Sequence, residues 1–261
     1  MSNFLLKIRL HSLMYFTKKF VNVPRNPLQK SGYTLTFEDD FDNSAKFVSN
    51  NWEYMESWGD PVTHTCIKDK ERPYIIWKPS QVTIDTARSI AKLTTEKNDV
   101  PGEPPIKSGE LTTFKAINQK YGWFECRMKV CPGGVNFWNA FLLYNKATGW
   151  LPEVDIAEFQ LSDSKGFTCT VHPENTSAKS PHGSFPLNFD LSKEFHNYAL
   201  NWTKDKLEFY LDNVLIFVAE DHVPQVPLYV LIGNAIKQGQ TVMTWPPQTL
   251  EIDYVRIYKA N

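Results

Sequence analysis

From Tyr33 onward the chain alternates apolar and polar residues in short runs divided by turn-forming residues. Tyr33-Thr34-Leu35-Thr36-Phe37-Glu38 has the period of two of a strand with one buried face, and it runs into the acidic turn Asp39-Asp40-Phe41-Asp42. The same pattern predicts strands over 81–85, 89–95, 109–114, 121–130 and 137–144. Further runs follow over 167–172, 196–202, 207–211, 214–219, 228–233 and 250–258. Asp212-Asn213 joins two of these runs with residue types that tolerate a positive φ, predicting a two-residue hairpin turn. So many short strands, with no helix among them, predict an all-β chain folded as a two-sheet antiparallel sandwich.

One run departs from simple alternation. In Glu153-Val154-Asp155-Ile156-Ala157-Glu158-Phe159 three carboxyls stand among residues that should bury. On a strand Glu153 and Asp155 share a face, with Val154 and Ile156 on the other. Glu158 has the wrong parity unless Ile156 or Ala157 is absorbed in a β-bulge, after which all three acids line one surface.

Composition agrees with the strand pattern. Eight Trp, 11 Tyr and 17 Phe favour strands, and 17 Pro with 12 Gly disfavour long helices. A formal net charge of -1 gives no reason to expect a nucleic-acid partner. Of the four cysteines, Cys66, Cys126, Cys131 and Cys169, none forms a CxxC pair or a zinc spacing with histidine. Cys126 falls on the apolar side of 123–129 and is expected as a buried thiol; a disulfide between other pairs stays open. Residues 1–30 hold six Lys/Arg and no acid, so the remainder of the chain carries -7. They are read as a basic arm outside the core of a single domain at 31–261. An unstructured start is preferred over a membrane-surface helix at Phe4–Phe20, and the arm lacks a clean export signal. No transmembrane run is present.

The chain has no GxGxxG or P-loop, no HExxH and no GxSxG, which leaves the carboxyls to carry any chemistry. A retaining glycosidase needs a nucleophilic carboxylate and an acid/base carboxyl about 5–5.5 Å apart. Glu153 and Glu158 are candidates for those roles. Asp155 between them would couple to both and help hold a proton in the trio.

The blocks around this motif carry a resemblance. Tyr33–Asp42, Ser108-Gly109-Glu110-Leu111-Thr112-Thr113, Tyr121-Gly122-Trp123-Phe124-Glu125-Cys126-Arg127-Met128-Lys129, Phe195-His196-Asn197-Tyr198 with Asn201-Trp202, and Ile252–Tyr258 occur in the order seen in glycoside hydrolase family 16. The acidic run matches that family's bulged E-[ILV]-D-x-x-E signature, so over roughly 33–258 the chain resembles this family. The resemblance implies a β-jelly-roll sandwich whose concave sheet forms an open polysaccharide cleft. It makes Glu153 the nucleophile, Glu158 the acid/base and Asp155 the assisting carboxyl, and it implies endo-hydrolysis with retention and no cofactor in catalysis.

Further site residues follow from the same resemblance. Trp138 and Trp150 are candidates to stack on sugars, His172 to face the cleft beside the acids, and Trp58 and Trp245 to supply outer subsites. Asn136 and Asn139 are candidate hydrogen-bond donors to sugar. Family members often hold a structural calcium away from the cleft, for which Asp40 and Asp253 are the matching oxygen donors. The expected partner is a polysaccharide, met by a monomer. Leu142, Asn139 and Leu151-Pro152 depart from the usual glucanase residues, so substrate choice is left between β-1,3- or mixed-linkage glucan, ranked first, and an agar- or carrageenan-type galactan. Transglycosylation, and a non-catalytic carbohydrate-binding role, are the other readings. The compartment is left open, although polymeric glycans are met outside the cytoplasm.

Overall fold

The computed structural model describes residues 23–54, 75–132, 137–160, 164–236 and 246–261. The expected Trp58, Trp245 and Asn136 subsites, Cys66 and the helix or coil at 4–20 lie outside them.

Two sheets pack face to face. One contains β1 (Tyr33–Asp39), β2 (Ile75–Trp77), β3 (Val82–Asp85), β4 (Ile90–Lys97), β5 (Ile106–Ser108), β7 (Gly122–Lys129), β12 (His196–Trp202), β13 (Leu207–Leu211), β14 (Val214–Ala219) and β16 (Gln248–Ala260). Its order is β14-β13-β12-β7-β16-β4-β5-β2, with β1 also on β16 and β3 on β4; the β2–β5 pair is parallel. The second sheet runs β11-β10-β9-β8-β15-β6, antiparallel throughout. Its strands are β6 (Glu110–Thr112), β8 (Phe137–Asn145), β9 (Glu153–Gln160), β10 (Gly166–His172), β11 (His182–Pro186) and β15 (Leu228–Ile236).

Alternation explains which face meets which. Phe141, Leu143, Val154, Phe159 and Ile232 from the six-stranded sheet join Phe124, Tyr198, Trp202 and Ile257 from the larger one in a single core cluster. Phe159 meets Tyr198 edge-on, with ring centroids 5.3 Å apart. Each fully buried aliphatic or aromatic side chain of this kind contributes about 1.5–3 kcal/mol, which makes the register strongly specified. The hairpin between β13 and β14 has both turn residues at positive φ, Asp212 at 49° and Asn213 at 66°, as its sequence predicts. Among the described residues a short α-helix, α1 (Ser44–Ser49), goes against the expectation of no helix; Asn43 caps it, its Oδ1 accepting from Ala45 N at 2.9 Å. No helix among the described residues is long and apolar enough to cross a membrane.

Residues 23–30, the described end of the basic arm, lie on the outer face of the ten-stranded sheet. Arg127 donates to the Val23 carbonyl at 2.6 Å, Arg256 to that of Asn26 at 2.7 Å and Tyr258 to that of Leu28 at 3.0 Å. Three carbonyls of this segment are thus satisfied by the sheet beneath them. The outer face of the six-stranded sheet therefore remains as the place for the expected cleft.

Candidate active site

The acidic run is β9, flanked by β8 and β10, at the middle of the six-stranded sheet. On the β8 side Phe141 pairs with Ala157 and the next residue, Leu142, pairs with Asp155. Ile156 is the inserted residue, and its carbonyl accepts a hydrogen bond from the Cys169 thiol at 3.1 Å. This bulge resolves the parity conflict. Glu153, Asp155 and Glu158 all stand on the outer face, while Val154, Ala157 and Phe159 enter the core. Burial raises the Cys169 thiol far above its ordinary pKa, so at neutral pH it is a neutral donor. Cys126, as expected, is a buried free thiol, and Cys131 and Cys169 are free as well.

Glu153 and Asp155 are buried, with Glu158 more open. Across the sheet His172 lies opposite Glu153 and Thr170 opposite Asp155. The His172 ring nitrogen Nε2 is 3.0 Å from Asp155 Oδ2. Trp150, in the turn before β9, donates its indole N–H to Glu153 Oε2 at 2.6 Å. Glu153, Asp155 and His172 thus bring one ligand atom each within 4.8 Å of one another, close enough to share a metal ion.

The electrostatics favour a proton in that place. Burial first, then the negative charge of Glu158, pushes Asp155 up to about 8, against hydrogen bonds from Glu153 and Thr170 that favour its charged form. Burial, followed by the charge of Asp155 and the carboxyl–carboxyl hydrogen bond, raises Glu153 well above the carboxylate range; His172 and the Trp150 N–H pull it down. Two buried carboxyls in contact cannot both ionise cheaply, so near neutral pH the pair retains one proton.

Several expected residues lie elsewhere or act differently. Trp150 is 39% exposed but its N–H is committed to Glu153, a contact with the acid in addition to any with sugar. Trp138 is on the outer face, two residues along β8 from Ala140, which pairs with Glu158. Asn139 corrects the expectation of a sugar donor: it is fully buried on the core side. Its Oδ1 accepts from Cys131 N at 2.8 Å and its Nδ2 donates to Asn234 Oδ1 at 2.5 Å. Neighbours on a strand face opposite sides, so Trp138 and Asn139 cannot both reach the cleft.

Asp40 and Asp253 do not fit a calcium site. Lys46 Nζ is 3.1 Å from Asp40, while Arg127 and Arg25 approach Asp253 at 2.6 and 3.1 Å. A divalent cation would have to displace protein cations from both carboxylates. Thr170 and Cys169 are site residues that the sequence reading missed; their alternation on β10 shows which faces the acids and which the core, but nothing in it marks their partners.

Comparison with known proteins shows what the chain is similar to. An endo-1,3-1,4-beta-glycanase, EglC, of Rhizobium meliloti (strain 1021) is 28% identical over 254 residues, covering 90% of this chain and 53% of its own length. A beta-glucanase of Acetivibrio thermocellus is 27% identical over 223 residues, covering 82% of this chain and 60% of its own length. The chain therefore spans little more than half of these relatives. The laminarinase catalytic domain of Thermotoga maritima MSB8 superposes with a TM-score of 0.74 at 22% identity, covering 88% of this chain and 99% of that one, which shows the shared fold. The family model described as glycosyl hydrolases family 16 matches residues 69–256, a span containing the bulged acidic strand and both of its neighbours. With most of its length matched, the chain belongs to glycosyl hydrolases family 16.

Proposed function

We propose that the protein is a retaining endo-glycoside hydrolase acting on a β-1,3- or mixed-linkage β-1,3-1,4-glucan. The observation that carries this reading is the Ile156 bulge, which puts three carboxyls on one open face with a proton held among them. The names of the relatives support the choice of glucan.

In this reading Glu153 attacks the anomeric carbon while Glu158 protonates the departing glycosidic oxygen. Water, deprotonated by Glu158, then releases the sugar from Glu153 with net retention. Glu153 must be anionic to attack. The shared proton then resides on Asp155, and the Trp150 N–H stabilises the negative charge on Oε2. His172 holds the other side of Asp155. The chain's own carboxyls do the chemistry, and no cofactor enters a step.

The test is a reducing-end assay on neutral β-1,3- and mixed-linkage glucans, with NMR of the first product to read its anomeric configuration. Cleavage with retention is expected, and Glu153→Ala and Glu158→Ala should each lower the rate by orders of magnitude while remaining folded. Absence of cleavage across these glucans, or inversion at the anomeric carbon, overturns the proposal.

A further inference from the structure

The arrangement of the three carboxyls depends on one inserted residue, Ile156, which has no partner in the register of β9 with either neighbouring strand. Along β8 the pairing passes from Phe141–Ala157 to Leu142–Asp155, and along β10 from Thr168–Glu158 to Thr170–Asp155. On the β10 side Ile156 and Ala157 therefore stand against a single residue, Cys169. A bulge of this kind interrupts the ladder and leaves the extra residue to find its hydrogen bonds elsewhere.

Cys169 supplies one from the core side of the sheet. Its Sγ lies 3.1 Å from the Ile156 carbonyl oxygen. Cys169 is fully buried and Ile156 is 2% exposed, so bulk water is kept from that carbonyl. Burial first, then the negative charge of Asp155, keeps the thiol protonated and able to donate. A thiol is a weak donor, but the alternative here is a buried carbonyl that loses a partner.

The bulge lies between Asp155 and Glu158, which is why its exact seat matters for chemistry. Moving the inserted position from Ile156 to Ala157 keeps the parity of all three acids, yet it changes the backbone angles between them and so the separation of Glu153 from Glu158. Retaining hydrolysis needs those two groups about 5–5.5 Å apart. Misplacing a reacting group by about 1 Å can cost about a hundredfold in rate.

We infer that Cys169 is a positioning residue: by donating to the Ile156 carbonyl it pins the bulge at Ile156 and so sets the separation of Glu153 and Glu158. Its side chain is in the core, behind the acids, and acts only through the backbone of β9. The effect on rate rests on the hydrolase reading. A cysteine that only filled the core would be replaced best by an apolar side chain, whereas one needed as a donor is replaced best by serine.

The experiment compares Cys169→Ser and Cys169→Ala in the full chain, two variants that differ from each other by a hydroxyl. kcat and KM on a β-1,3-glucan are measured well below the melting temperature of each protein, and crystal structures of both variants are set beside that of the wild type. Cys169→Ala should lower kcat about tenfold with KM within about twofold, and Cys169→Ser should bring kcat back to within about threefold of the wild type. In the crystals the Glu158 carboxyl of Cys169→Ala should move by about 0.5 Å or more relative to Glu153, and that of Cys169→Ser should stay. If Cys169→Ala does not fold, Cys169→Val, which fills the space without donating, takes its place with the same expectation. A normal kcat in the variant without a donor, an equal loss in the serine variant, or unchanged carboxyl geometry overturns the inference. A wild type that cuts no glucan would instead sink the hydrolase reading, and the crystal structures would still decide this one.

Discussion

Replacing Asp155 by Asn should make the protein more stable, and increasingly so as pH rises. The residue is 2% exposed, and its pKa goes from 3.8 to about 8 on folding. A carboxyl raised in this way stabilises the fold fully below its unfolded pKa, because both states are then protonated. Between the two values the unfolded chain releases its proton while the folded chain keeps it or carries a buried charge. Stability is therefore lost as pH climbs from about 4 to about 8. At 1.36 kcal/mol per unit, an interval of about 4 units bounds the loss at roughly 6 kcal/mol. Coupling to Glu153 shares that loss between two groups, so about 2–4 kcal/mol belongs to the substitution itself.

Asn has the shape of the protonated acid and never ionises. Near pH 4 the variant and the wild type should melt together. At pH 8 the variant should melt about 5–15 °C higher, given about 2–4 °C per kcal/mol for a chain of this size. The assay is thermal unfolding of both proteins at pH 4, 6 and 8, with glucan hydrolysis measured on the same samples. Activity should fall about tenfold or more, since Asn cannot give up and recover a proton as the charge on Glu153 changes through the cycle. Stability of the variant equal to or below wild type at pH 8, or a Tm difference that does not change with pH, would refute the account of a proton stored between buried carboxyls. The gain in stability with loss of rate is the trade expected where strain is kept for function.

Other substitutions test separate parts of the structure. Trp150→Phe removes the N–H donated to Glu153 Oε2; kcat should fall about fivefold to tenfold, and the acidic limb of the pH–rate profile should move to higher pH because the charged form of Glu153 loses a donor. Asn139→Leu should cost about 2–4 kcal/mol in urea unfolding, since it strands Cys131 N and Asn234. An increase in KM without loss of stability would instead make Asn139 a sugar ligand. Gly122→Ala should destabilise by about 3 kcal/mol or more, because Gly122 sits at φ 119° with a would-be Cβ 2.0 Å from the Tyr258 carbonyl oxygen.

What could be read in advance depends on whether the deciding interaction is local. Period two was enough to place Glu153 and Asp155 together and to demand a bulge for Glu158. It could not choose between Ile156 and Ala157, because both are apolar and either insertion restores parity. The choice of Ile156 is accompanied by the Cys169 thiol reaching its carbonyl from the next strand, a partner 13 residues away. For Asn139 the local signal is present: the alternation that puts Trp138 outward puts its neighbour inward, and the Asn234 side chain that receives it is 95 residues on. Strands of three to five residues, such as β2, β5 and β11, offer too few alternations to stand out from loops. Asp253 shows the same limit in charge. Its acidic character suggested a cation, but Arg25 and Arg127 answer it from more than 100 positions away. In this chain, then, backbone pattern specifies which face a side chain takes, and sheet order decides which distant partner meets it there.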